Sequence, residues 1–575
     1  MAYKFRPSKK FKVSVAGVLV YLIRRYCIKD LSLVNFFLLW SLFSVLPATC
    51  SAVYWIIIYP NFLSPYRSFP HPAGKWHWFM GNIGEVQKEQ PGMAHLKWIE
   101  EHPDASWIRY RGFFGMERII PVSPAALQSI FMTHSYSFVK PLRTRQRLEL
   151  ILGDGLLGAE GESHIRQRRL LNPAFSFGHV KGLIPVFLEK SFLLSNFISK
   201  QIDNNTKGSN EATTNDGNSA TENDLAPVVL EAGESLIRVD HPIHATTLDI
   251  IFKAGFGTEF NALENGDDPL VQAYRTVFTA PENIDNWMRI EFLLGEVFGP
   301  GTFPTKRSRE IAKSRKIVED FCYSLIEEKH QKQKIASTFG QKASETDRDL
   351  LNLMIEEAGL TDKEIISNMM TFLAAGHETT SSATTIAIYL LTKYPEVQVK
   401  LREEIRKAIP EYSALTTDPF ANVTYETIES IKYLTNFMHE VLRFIPPVSV
   451  TNREAESTVQ IDDVTIVKGS LIFIIPAAMN RLTRIWGEDA GEFKPERWDN
   501  LPAAARNPYV NLTFLQGPRS CIGRKFAELE FKSLLIALVG KFSFRAKEPG
   551  KELKMRSVVT TKFADPLEVI VKFAD

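Results

Sequence analysis

Phe514-Leu-Gln-Gly517-Pro-Arg519-Ser-Cys521-Ile-Gly523-Arg-Lys-Phe-Ala-Glu528, near the C-terminus, sets one cysteine among glycine, proline and arginine. The chain has three other cysteines, Cys27, Cys50 and Cys322, all in apolar or helical surroundings. A thiol can be a nucleophile, a metal ligand or an inert packing group. The nearest histidine in sequence to Cys521 is His439, so no paired base is adjacent, and no neighbouring cysteine completes a zinc set. A single thiolate does suit haem iron, because porphyrin nitrogens supply four further ligands. Gly517 and Gly523 then permit tight turns and close approach to a flat ring. Backbone N–H groups can bond the sulfur, and the planar fork of Arg519 can reach a propionate.

Bulk properties agree with a large folded body. The 575 residues are 45% hydrophobic and 23% charged, enough for a sizeable core. A net charge of +2 argues against a nucleic-acid binder. Four scattered cysteines make no disulfide framework and suit a reducing compartment. No GxGxxG unit, Walker loop or HExxH occurs, so dinucleotide, nucleotide and zincin chemistry have no support.

The N-terminus has a different character. Residues 31–66 carry no charge, and 36–58 are dense in Phe, Leu, Trp and Ile, with Pro47 inside. A spanning helix needs about 20 apolar residues, so residues 1–64 are expected to form a membrane-anchor region in contact with lipid. The shorter apolar run 13–23 reads as interfacial. Lys4, Arg6, Lys9, Lys10 and Lys12 favour a cytosolic N-terminal arm; one span would then put the body in the lumen, two spans or a hairpin in the cytosol. Prolines 60, 65, 70 and 72 form a stiff elbow before the body, residues 65–575. Residues 204–224 are polar and predict a disordered insertion.

Helical patterns dominate the body, so the fold class is mainly α with small β-sheets. A long apolar run over 360–393 opens on a Thr361–Glu364 capping box, and residues 397–408 and 428–444 read as amphipathic helices. Short β-like runs cluster over 450–478 and again after 540.

The spacing Phe514-x-x-Gly517-x-Arg519-x-Cys521-x-Gly523 matches FxxGxRxCxG, the haem loop of the cytochrome P450 family, and the chain resembles that family's microsomal type, with features of its fungal members. Ala-Ala-Gly376-His-Glu378-Thr379-Thr, taken alone, reads as a polar helix face or a hydroxyl bonded back to a carbonyl. It is also similar to the family's central-helix motif. The resemblance implies that Gly376 opens a groove in a distorted helix over the haem, Thr379 hydrogen-bonds the dioxygen being activated, and Glu378 joins the proton relay. Glu440 and Arg443, at i and i+3, are by themselves a weak surface pair. With Arg497 they resemble the family's Glu–Arg–Arg network, a structural role, with Trp498 where Phe is usual. The resemblance further makes Arg168, His164 and Arg453 propionate partners, with His164 in place of the usual tryptophan.

The resemblance covers residues 65–575 and implies a long central helix over haem b (iron protoporphyrin IX), with Cys521 as axial iron ligand on the proximal side. It implies a monooxygenase that takes electrons from a separate NADPH-cytochrome P450 reductase, with cytochrome b5 as an optional donor, and oxidises a lipophilic lipid or secondary metabolite. It places the catalytic body on the cytosolic face of the endoplasmic reticulum membrane. The alternative readings are a haem-thiolate isomerase or dehydratase acting on an oxygenated lipid, and a non-enzymatic haem carrier or sensor.

Overall fold

Helix boundaries in this protein follow its caps and prolines. The computed structural model describes residues 53–74, 76–211, 230–278, 304–338, 349–356, 359–412, 420–557 and 559–575, with a few positions between 46 and 51 and between 287 and 302. The central helix spans Asp362–Lys393, and both bonds of the Thr361–Glu364 capping box are present. Pro395 opens the next helix, Pro395–Ala408, at its first position, where a missing N–H costs nothing. The run expected over 428–444 divides at Ile431 into helices Tyr425–Ser430 and Lys432–Phe444.

Among the described residues the chain forms two compact units. The smaller comprises residues 1–89, 93–139 and 452–474. Its five-stranded sheet is ordered β1 (Trp107–Arg111), β2 (Glu117–Pro121), β8 (Leu471–Ile474), β5 (Thr451–Ala455), β3 (Phe138–Val139), with β2 and β8 parallel at Ile119 and Ile472. A separate ladder joins β6 (Val459–Ile461) to β7 (Val464–Ile466).

The larger unit holds residues 90–92, 140–451 and 475–575. It packs the central helix against helices Asp240–Phe256 and Arg524–Lys541. Its small sheets are β4 (Ser235–Arg238), β12 (Glu568–Phe573) and β9 (Phe542–Ala546) in that order, and the hairpin β10 (Met555–Ser557) with β11 (Thr561–Phe563). Small residues allow the helices to approach: a Cβ on Gly376 would lie 3.0 Å from Ile251 Cδ1.

Two expectations change. The helix Ile184–Glu211 runs well into the stretch predicted to be disordered. An established helix gains one hydrogen bond per added residue, so polar residues can continue it without burying a face. Residues 212–224 lie outside the described residues, as does most of the predicted anchor. Among the described residues no helix is long and apolar enough to cross a membrane.

The Glu440–Arg443 pair is no surface pair. Both side chains are fully buried. Arg443 donates from Nε and Nη2 to Glu440 Oε2 and Oε1 at 2.8 and 2.7 Å. Its remaining N–H groups reach the carbonyls of Asn480, Ala490 and Glu492, each at 2.9 Å. Glu440 also accepts from the Lys494 backbone N–H at 2.9 Å, Trp498 Nε1 at 3.0 Å and Arg497 Nε at 3.5 Å. Tryptophan therefore brings a donor that phenylalanine lacks.

Glu440→Ala leaves the Arg443 guanidinium buried without its counter-charge, which costs about 3–5 kcal/mol. Denaturant unfolding of the haem-loaded protein is expected to show that loss. Lys432→Ala, which breaks an exposed pair with Asp499, should change stability by less than about 1 kcal/mol.

Candidate functional site

The cysteine loop is hung from this buried network. Asn480, whose carbonyl Arg443 holds, accepts from the Leu512 N–H with Oδ1 at 3.0 Å and donates from Nδ2 to Thr513 Oγ1 at 3.0 Å. Thr513 Oγ1 in turn donates to the Leu442 carbonyl at 2.9 Å. Phe514 follows directly, and the chain turns back so that the Cys521 N–H donates to the Phe514 carbonyl at 2.9 Å. Leu515 and Gly517 sit at φ of 54° and 76°, the left-handed region, which glycine tolerates and leucine rarely adopts. Gly523 has an ordinary φ of −87°, and a Cβ there would come no closer than 3.8 Å to Phe175. No tight turn requires glycine at 523, contrary to expectation; room for a ligand remains as its use.

Cys521 presents exposed surface, yet it sits in a recess where burial pushes its thiol up. The Gly523 backbone and the charges of Arg168 and Arg524 oppose that rise, favouring thiolate. Helix Arg524–Lys541 begins three residues after the sulfur.

A second group of residues gathers positive charge. Arg519 ion-pairs with Glu160, both side chains being nearly covered. Glu160 also accepts from the Lys140 backbone N–H at 2.8 Å, with Lys140 Nζ 3.6 Å away. Arg168 donates to the Ser520 carbonyl at 2.7 Å and to Asn172 Oδ1 at 3.0 Å. His164 is buried, and burial together with Arg519 and Lys140 holds its pKa down to about 4, so the ring is neutral at pH 7. Arg453 is buried on β5 in the smaller unit, with Nη1 donating to the Asn452 carbonyl at 2.7 Å.

The central helix contributes the third part. It runs unbroken past residues 374–382, so the expected distortion is absent. A Cβ on Gly376 would crowd Ile251, and the residue itself is half-exposed beside Ala375. Thr379 Oγ1 donates to the Ala375 carbonyl at 2.9 Å, the local back-bond open to any helical threonine. Glu378 is buried and ion-paired to Lys562, and its carboxyl is nevertheless raised because burial outweighs the lysine. Ala375 is exposed and Thr379 half-covered on a helix whose other residues are mostly buried.

These features fit haem. A recessed sulfur, an uncovered stretch of the central helix and cations at Arg168, Arg519 and Lys140 suit a flat apolar ring with a metal centre and two carboxylates. Cys521 would hold the iron, and Arg519 and Arg168 would hold carboxylates. Lys140, Glu160, Asn480, Thr513 and Lys562 escaped the sequence reading: each acts across a long sequence separation, and none belongs to a periodic or spaced pattern.

Comparison with known proteins gives the same picture. The family profile described as Cytochrome P450 matches residues 70–567. The chain is 35% identical over 535 residues to Cytochrome P450 monooxygenase sphH of Aspergillus fumigatus, covering 92% of this chain and 91% of that protein. It is 32% identical over 547 residues to Cytochrome P450 monooxygenase ALT8 of Alternaria alternata, covering 88% and 90%. It is 31% identical over 576 residues to Cytochrome P450 monooxygenase FUM15 of Gibberella moniliformis, covering 90% of each.

Arg519→Leu removes a charge-assisted donor worth about 1.5–3 kcal/mol. Haem transfer to excess apomyoglobin should therefore run roughly 10- to 100-fold faster than from the unaltered protein. An unchanged transfer rate would rule out a carboxylate partner at Arg519.

Proposed function

This chain belongs to the cytochrome P450 family as one of its fungal-type monooxygenases, and from that premise we propose that it oxidises a lipophilic small molecule, a lipid or secondary metabolite, with electrons from a separate NADPH-dependent reductase. Haem b with a thiolate ligand supplies the redox chemistry: dioxygen, two electrons and two protons give one inserted oxygen atom and one water. The chain's own part is to bind substrate, keep the site dry and meter the protons.

The observation that carries this reading is the pairing of Glu378 and Thr379 on the central helix. The hydroxyl lies on a partly uncovered surface beside exposed Ala375, while the carboxyl is buried one residue away. Thr379 Oγ1 donates to the Ala375 carbonyl and so keeps acceptor capacity for a proton-bearing partner. Glu378, whose carboxyl burial raises, holds a proton more readily than a solvated carboxylate. An isomerase needs no externally supplied protons and no such pair.

The substrate reading rests on lining chemistry. Val448, Val450, Ala374 and Ala375 are apolar, and each keeps part of its surface uncovered. Leu373, next to Ala374 on the same helix, is fully buried in the core. Residues 1–64 are proposed to anchor the protein to the endoplasmic reticulum membrane with the catalytic body in the cytosol; the uncharged stretch 31–66 supports this.

Thr379→Ala should keep haem and bind substrate, yet convert a smaller share of NADPH electrons into product, with hydrogen peroxide rising to match. Loss of a positioned proton donor costs on the order of 100-fold in the chemical step. Product per NADPH equal to that of the unaltered enzyme would refute the role. Deleting residues 1–64 should move the protein from the membrane pellet to the supernatant with its haem retained; an unchanged pellet fraction would refute anchorage through that region.

A further inference from the structure

A cavity of about 270 Å³ lies in the larger unit, walled by helices Asp240–Phe256 and Pro269–Phe278, the central helix and the chain around β11. The central helix contributes His377, Ser381 and Thr385. At 3.6 residues per turn, residues two apart stand about 200° round a helix, so this face is turned away from Ala375 and Thr379. The cavity therefore lies behind the helix, apart from the uncovered stretch that suits haem.

Its lining divides by chemistry. Ala245, Leu248, Ile386 and Leu567 make an apolar inner wall, each almost fully covered. Charge gathers toward solvent, where Arg238 and Asp565 are exposed and Arg275, Arg556 and Lys562 are half-covered. Two of these cations are already matched. Arg238 donates to Asp240 at 3.0 and 3.1 Å, and Lys562 ion-pairs with Glu378, which is not part of the lining. Arg275 is not matched: among the described residues it makes no hydrogen bond or ion pair, and the charge that acts on it is that of exposed Asp267, outside the lining. Of the lining acids, Asp240 is taken by Arg238, and Asp565 faces the water that screens it.

The histidines register the positive potential inside. His241 is pushed down by burial and by Arg275 and Arg238, against Asp240. Burial also holds His244 well down, helped by His377, Lys562, His241 and Arg275. The His377 ring, 4.8 Å from that of His244, is neutral as well, pushed down by burial to about 3. His244 Nδ1 shares a hydrogen bond of 2.5 Å with Ser381 Oγ, which leaves its Nε2 for a ligand.

We propose that this cavity is a second ligand site, for a small amphipathic carboxylate whose chain lies along the buried apolar wall and whose headgroup pairs with Arg275. The two parts of the lining ask for the two parts of that ligand. A neutral lipophile would strip water from the Arg275 guanidinium without giving it an acceptor. An inorganic anion would leave the apolar wall wet. A carboxylate meets the planar arginine fork with two parallel hydrogen bonds. Each methylene buried against the wall strengthens binding roughly fourfold.

The test uses full-length, haem-loaded protein with a bulky azole bound to its iron, so that the haem side of the central helix is filled. Equilibrium dialysis against labelled octanoate should then find one octanoate per chain. 1-Octanol, the same chain without the charge, should bind roughly 10-fold more weakly or worse, and sulfate at the same concentration should leave octanoate in place. Arg275→Gln removes the charge-assisted pair and should weaken octanoate roughly 10- to 100-fold with octanol unchanged. Ala245→Phe fills the inner cavity and should abolish binding of both. Where that core change does not fold, Arg275→Gln, at a half-covered position, carries the test. No octanoate bound beside the azole, equal affinity for octanol, displacement by sulfate, or unchanged affinity in Arg275→Gln would each overturn the site.

Discussion

A carboxylate with no access to water anchors the larger unit. Glu440 is fully buried, and a lone charge there would be driven to neutralise. It stays tolerable because Arg443 binds it with two N–H groups while Arg497, Trp498 and the Lys494 backbone take up the rest. Its partners come from two places in the chain, Arg443 one turn along the same helix and Lys494, Arg497 and Trp498 together in the turn at residues 494–498. Satisfying one carboxylate therefore sets the path of that segment, and Asn480 and Thr513 pass the constraint to the first residue of the cysteine loop.

The loop can then accept strain. Leu515 at positive φ is unfavourable for a branched side chain, and such a conformation persists only where surrounding bonds over-determine it. Thr513 on one side and the Cys521–Phe514 backbone bond on the other do so. A pre-set loop presents the sulfur without a further ordering cost when the ligand arrives.

Charge is arranged oppositely on the two sides of the site. Beside the cysteine, among the described residues, the cations Arg168, Arg519, Arg524, Lys525 and Lys140 outnumber the acids Glu160 and Glu528, which suits carboxylates arriving from a ligand. On the central helix an acid is buried against a single lysine, and both nearby histidines are neutral. The first zone favours holding a fixed charge, and the second favours changing one.

Local chemistry was readable from the chain itself. The capping box at Thr361, the helix opening at Pro395, the strands after 450 and the spaced loop around Cys521 all depend on residues within a few positions of one another, where backbone geometry links neighbours directly. The division of the run over 428–444 and the helical continuation to Glu211 show how weak boundary signals are when no cap marks them. Burial was not readable. Nothing in Glu440-Val-Leu-Arg443 distinguishes an exposed pair from a desolvated one, because the distinction comes from Asn480, Ala490, Glu492 and Arg497 folding over it. The same holds for Gly376, whose missing side chain makes room for Ile251 more than a hundred residues earlier, and for Glu378, whose partner Lys562 comes from a hairpin near the C-terminus. Motif spacing specifies which groups stand ready; only tertiary packing brings distant charges within reach, removes the water between them and so decides what each group does.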